Sequence, residues 1–189
     1  MGAWNAAGNL FRLLIVVGTV IAIGLQSATQ TGCNYAVYKE DNIQAVGIWY
    51  LMTNNECGAE VYDPDESDPF IWTARSCLSL SMLLATIGGI LVAFEWCCCN
   101  VCCAGCIEMS CYMSAMMLAG GVNFIFGCEL CVGVGFDSIT VEGIEAAAED
   151  GNVCEIGPGA TTNTVALIIY LIVCILLCCT PEPDPVWKQ

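Results

Sequence analysis

Sixteen cysteines and no histidine in 189 residues make the thiol the side chain of this sequence most able to do chemistry. Its spacings offer three kinds. Cys99-x-x-Cys102 and Cys103-x-x-Cys106 have the gap by which thiolates grip zinc or an iron–sulfur cluster. Cys128-Glu129-Leu130-Cys131 has the gap of a redox dithiol. Cys97, Cys98, Cys99, Cys102, Cys103, Cys106, Cys111, Cys178 and Cys179 crowd the edges of apolar runs, where cytosolic thiols accept reversible S-acylation. Adjacent pairs and triplets present four tetrahedral thiolates poorly from so short a loop. Acylation of Cys97, Cys98, Cys99, Cys102, Cys103, Cys106, Cys178 and Cys179 is therefore the expectation, with no metal or cofactor assigned. The run Asp63-Pro64-Asp65-Glu66-Ser67-Asp68 alternates carboxylates but lacks the glycine and distal glutamate of an EF-hand loop. It reads as a solvated linker.

The elements that must position these residues are apolar. Stretches 10–26, 77–94, 113–134 and 165–179 each approach the about 20 residues that a helix needs to cross a roughly 30 Å hydrocarbon layer. A chain with 57% hydrophobic and 12% charged residues cannot clothe itself in a charged skin in water. The expected architecture is a single membrane domain, 1–189: an all-α four-helix transmembrane bundle with loops 27–76 and 135–164 on one face, loop 95–111 on the other and a tail from 180 to 189. Nineteen acids against four bases (Arg12, Lys39, Arg75 and Lys188) exclude nucleic acid as a partner, because the cations that displace counterions from phosphate are missing. The first stretch ends in Gln26-Ser27-Ala28 but has no basic region beyond Arg12, so it reads as a retained helix and not a cleaved leader.

Lys and Arg are spread too evenly to orient the helices. The acids are not: eight lie in 27–76 and six in 135–163, against two in 95–111 and two in the tail. Cys33, Cys57 and Cys154 are dispersed through the acidic loops, as oxidisable cysteines of an outer face are, while the clustered cysteines suit the cytosol. Both termini are therefore expected in the cytoplasm of a multi-pass protein, with the plasma membrane as its location.

Within the long loop the period changes. Residues 32–39 and 42–53 carry Tyr, Val, Ile and Trp with partial alternation, 59–62 is another short run, and 138–143 is a further strand candidate. Three to five such strands would make a small extracellular antiparallel sheet capping the helices.

That order of elements carries specific residues: Gly47-Ile48-Trp49, then Cys57, then Ala74-Arg75 before the second helix, and Gly120-Gly121-Val122-Asn123-Phe124 in the third. The chain resembles the claudin superfamily, which includes peripheral myelin protein, the epithelial membrane proteins and the auxiliary gamma subunits of calcium channels. Its signature is Gly-Leu-Trp followed by loop cysteines, Ala-Arg before the second helix and Gly-Gly-x-x-Phe in the third. The resemblance covers most of the chain in loop order and proportion. It implies a tetraspan that organises membrane, cell junction or a channel complex through lateral homo- or hetero-oligomers, with lipids and other membrane proteins as partners and cations drawn to the acidic loops. It implies no enzyme activity. The family's second loop cysteine has no counterpart before Cys77, so Cys33 becomes the candidate partner of Cys57, and Cys154 is left either free or paired with Cys131.

Trp49 is expected to seat the sheet on the helix ends with its N–H near the interface. Gly88, Gly89, Gly120 and Gly121 are expected to permit close helix approach. Glu129, an ionisable group inside the third apolar stretch, marks either an ion path or a buried pair with Arg75, and the pair is the expectation. The alternative class rests on Cys128 and Cys131, whose position at a helix end resembles vitamin K epoxide reductase-like membrane thiol oxidoreductases, with Cys33, Cys57 and Cys154 as shuttles.

Overall fold

The computed structural model describes residues 2–38, 45–53, 56–58, 69–97, 104–127, 131 and 154–180. Its four long helices are α1 (Gly2–Thr31), α2 (Pro69–Cys97), α3 (Ala104–Gly121) and α4 (Pro158–Cys179). A 3-10 segment, Val122–Gly127, continues α3. The segments Gly8–Thr31, Pro69–Cys97, Ala104–Gly127 and Pro158–Cys179 are long and apolar enough to cross a membrane. The helices outrun the apolar stretches because backbone groups near the hydrocarbon are best satisfied by continuing the helix. Prolines at the first positions of α2 and α4 cost nothing there, since that N–H has no helical acceptor. α3 begins earlier than hydropathy suggests, so Cys106 and Cys111 stand on a helix and not in a loop.

The sheet has five strands, β1 (Ala36–Tyr38), β2 (Ala45–Val46), β3 (Leu51–Thr53), β4 (Glu56–Cys57) and β5 (Cys154–Ile156), in the order β4-β3-β2-β1-β5. All neighbours are antiparallel, with Ala36 opposite Val46 and Ile156, Val46 opposite Leu51, and Met52 opposite Cys57. The stretch 42–53, expected as one strand, contains two, because residues 47–50 turn the chain back. The strands expected at 59–62 and 138–143 fall outside the described residues, and the strand contributed by the last loop is β5.

The chain forms two compact units, one of 1–26, 79–120 and 164–189, the other of 27–78 and 121–163. The first unit is helical, packed around Ile15, Ala22, Ala85, Val92, Tyr112, Ala115, Ala119, Ala166, Tyr170 and Val173. Buried positions in α1 recur at Arg12, Ile15, Thr19, Ala22 and Gln26, the alternating three- and four-residue step of helices packed side by side. This unit is inverted relative to a water-soluble one. Gln26 and Ser81 are fully buried while Val20, Ile90 and Met117 are 65%, 62% and 69% exposed. Such a surface is stable against hydrocarbon, and against water it would aggregate. The second unit holds the sheet, the neighbouring helix ends and a core that includes Tyr35, Ala36, Val46, Ile48, Ile71 and Ile125.

Candidate functional site: the hairpin turn and Arg75

Gly47, Ile48, Trp49 and Tyr50 are the turn between β2 and β3, closed by the Gly47 N–H donating to Tyr50 O at 2.8 Å. Glycine is required at its first position. A Cβ there would run into the backbone oxygen of Gly32, and would stand 2.7 Å from Tyr50 O and 2.8 Å from the Cys33 Cα. Backbone cannot move aside as a side chain can, so the turn and the exit of α1 fit only without a side chain. Cys33 is joined to Cys57 of β4, with Cα atoms 5.7 Å apart.

The turn is held by a cation. Arg75, one residue past Ala74 on α2, is 3% exposed; its Nε donates to the Ile48 carbonyl at 2.9 Å. Its guanidinium lies 4.5 Å from the Trp49 ring centroid and 5.2 Å from that of Trp72. A planar, weakly hydrated guanidinium can give its edge to a carbonyl and its face to indoles at once, which an ammonium cannot. Two fragments of sequence, Gly-Ile-Trp and Ala-Arg, thus become one structure. Trp49 departs from expectation in one respect: its Nε1 is buried and, among the described residues, has no acceptor.

The remaining signature positions are more dispersed. A Cβ on Gly121 would stand 3.0 Å from the Cys77 Sγ, so α3 approaches α2 closely there. On Gly88 and Gly89 it would stand 3.0 Å from the Tyr112 ring and from the Thr19 methyl. Gly120 has only ordinary contact with Leu167, and Phe124 is 54% exposed. Tyr35 anchors the start of β1, its OH donating to Asn123 Oδ1 at 2.8 Å and accepting from Asn163 Nδ2 at 3.4 Å. Burial raises the Tyr35 phenol from 10.0 to about 12, with the Asn163 hydrogen bond opposing.

Cys131 is joined to Cys154, Cα to Cα 5.1 Å. Each edge strand of the sheet, β4 and β5, therefore carries one disulfide. Cys97, Cys106, Cys178 and Cys179 are exposed free thiols and Cys111 is half-buried. Glu129, Cys98, Cys99, Cys102, Cys103 and Cys128 lie outside the described residues. Among the described residues no three Cys, Asp or Glu converge as a metal site would need.

A polar layer that sequence reasoning passed over joins the four helices of the first unit. Gln26 Nε2 donates to Ser81 Oγ at 2.9 Å, Ser81 Oγ donates to Ala115 O at 2.8 Å, and Tyr170 OH donates to Gln26 Oε1 at 2.7 Å. Thr19 Oγ1 and Tyr112 OH share a further bond of 2.7 Å. The available signal was a handful of polar residues inside apolar runs. Gln26 in particular reads from sequence as the edge of a span, whereas it is the hub of this layer.

No family model matches this sequence, and no curated protein matches it.

Proposed function

We propose that the chain is a claudin-like tetraspan of the plasma membrane, with both termini cytoplasmic, acting by contact and not by catalysis. In this reading it organises membrane, a cell junction or a channel complex through lateral oligomers and an acidic extracellular sheet. The observation that supports it is the convergence of Gly47-Ile48-Trp49 on Arg75: motif fragments far apart in sequence share one hydrogen bond and one stacked cation. Five short antiparallel strands with a disulfide on each edge suit an extracellular sheet, where oxidation is permitted and bare edges invite misassembly. A net charge of −15, carried mostly by the loops of that face, favours cations over anions at any pore the assembly lines. Cys97, Cys106, Cys178 and Cys179 would take acyl chains at the cytoplasmic ends of α2, α3 and α4. Acylation there would tune position in the bilayer, the spans already supplying the anchorage.

The experiment is native purification in mild detergent, with mass spectrometry and cross-linking, beside labelling of single introduced cysteines by a membrane-impermeant reagent. Homopolymers or a stable complex with other membrane proteins, with labelling at Asp65 and Asp150 and none across 97–106, is the expected result. A monomer with no partner, or the reverse labelling, refutes the reading. Dithiol turnover lost when Cys131 and Cys128 are changed to Ser would instead favour the thiol oxidoreductase.

A further inference from the structure

The two disulfides of the sheet unit are not equivalent, and the contact reading makes no use of the difference. Cys131 is fully buried and Cys154 is 5% exposed, so both residues of that pair belong to the interior. Cys33 is buried as well, at 5% exposed, with its Cα 2.8 Å from where a Cβ on Gly47 would stand. Its partner Cys57 is exposed, as is Glu56 beside it. One bond therefore joins a residue wedged under the hairpin turn to a residue on the surface.

The strand that carries Cys57 is lightly held. β4 ends the sheet and pairs with β3 alone, Met52 opposite Cys57 and Thr53 opposite Glu56. The Gly58 N–H, donating to Leu51 O at 2.8 Å, extends that pairing by one bond. A strand pair so short has little stability of its own, and the cross-link to Cys33 at the exit of α1 is what fastens it. Exposed disulfides are the exchangeable ones, whereas buried ones wait for the structure to open.

We infer that Cys33–Cys57 is a thiol-exchange switch: a dithiol in the solvent reduces it in the folded protein, freeing β4 and leaving β3 as the sheet edge, while Cys131–Cys154 stays closed. One thiolate of the dithiol attacks the Cys57 Sγ in line with the S–S bond, from the side away from buried Cys33. That bond breaks, and Cys33 leaves as a thiolate that takes up a proton. The second thiol of the reagent then attacks the mixed disulfide, closing the reagent's own S–S bond and releasing Cys57 as a thiol. Two electrons and two protons pass from the dithiol to the cystine. A bare β3 edge presents unpaired N–H and C=O groups, so the redox state of one bond sets which edge the sheet offers.

The test uses the full chain in lipid nanodiscs. Free thiols are blocked with N-ethylmaleimide, dithiothreitol is added without denaturant, and newly released thiols are tagged with heavy N-ethylmaleimide and mapped by mass spectrometry. Cys33 and Cys57 should take the heavy tag about tenfold or more faster than Cys131 and Cys154. Hydrogen exchange should then quicken across 51–58 and stay slow across 154–157, and oxidised glutathione should reclose the bond and restore protection. Cys57→Ser should show the fast exchange across 51–58 without any reductant. Tagging of both pairs together, of Cys131–Cys154 first, or of neither pair until denaturant is added overturns the inference. So does reduction of Cys33–Cys57 that leaves exchange across 51–58 unchanged, or that oxidised glutathione cannot reverse.

Discussion

Replacing Arg75 with Ala removes the element that holds the β2–β3 turn, and its cost can be worked from the contacts. The charged hydrogen bond to the Ile48 carbonyl contributes about 1.5–3 kcal/mol, and its loss leaves a carbonyl in the core of the second unit without its donor. The guanidinium over Trp49 adds about 1–2 kcal/mol and that over the more exposed Trp72 about 0.5–1 kcal/mol. About 3–6 kcal/mol is then lost from the unit that holds the sheet, which raises the population of its opened form roughly 100-fold or more. Cys131 is fully buried and Cys154 is 5% exposed, so a reductant reaches that disulfide only through opening. The assay is the rate at which dithiothreitol reduces Cys131–Cys154, scored by mass-tagging maleimide on a background without the exposed cysteines. Arg75→Ala should accelerate reduction by about two orders of magnitude or more, and Arg75→Lys by an intermediate factor, because an ammonium keeps the charge but not the plane. A reduction rate in Arg75→Ala within about threefold of the parent would show that the turn does not depend on this cation.

Gly47→Ala should cost about 1–3 kcal/mol or more by driving a methyl into backbone, seen as loss of surface expression, whereas Gly24→Ala, with nothing within 4 Å, should be tolerated. Tyr170→Phe should cost about 0.6–1.7 kcal/mol, the range for one hydrogen bond between membrane helices; Gln26→Leu should cost more, and the double variant less than the sum, in detergent-unfolding measurements. The Tyr35 phenol, raised by burial to about 12, contributes stability that is complete below the unfolded value near 10 and is lost as pH climbs from there through 12. Unfolding titrations should therefore fall in that window and flatten in Tyr35→Phe. Hydroxylamine-sensitive acyl exchange should report several modified cysteines per chain and fall when Cys97, Cys106, Cys178 and Cys179 are changed to Ser; no signal in the parent would remove acylation from the proposal.

Much of this was legible in the order of residues. Four apolar stretches are a one-dimensional signal, because the thickness of hydrocarbon sets a length that any sequence window can measure. Short strands in the long loop were legible for a similar reason, since β-branched and aromatic residues with partial alternation suit a half-buried sheet. The division of 42–53 into two strands was not, because the turn is enforced by the backbone of Gly32 and Cys33 pressing on Gly47, a contact with no sequence periodicity. The pairing of Cys33 with Cys57 could be named as a candidate, and the choice between a free Cys154 and one paired with Cys131 could not, since both are compatible with the same loop.

Which face of each helix turns inward was decided by tertiary structure alone. In water a helix declares its buried face by being apolar on one side, but here both faces are apolar and hydropathy falls silent. Val20 and Ile15 are equally suited to hydrocarbon, yet Val20 is 65% exposed and Ile15 is fully buried. The inward face is chosen by small residues that allow approach and by polar groups that need one another. Gln26, Ser81 and Tyr170 are each an unfavourable residue for a lipid-facing surface, and each becomes acceptable only when the other two meet it. Such mutual satisfaction is a property of three helices in register, and no single segment of the chain contains it.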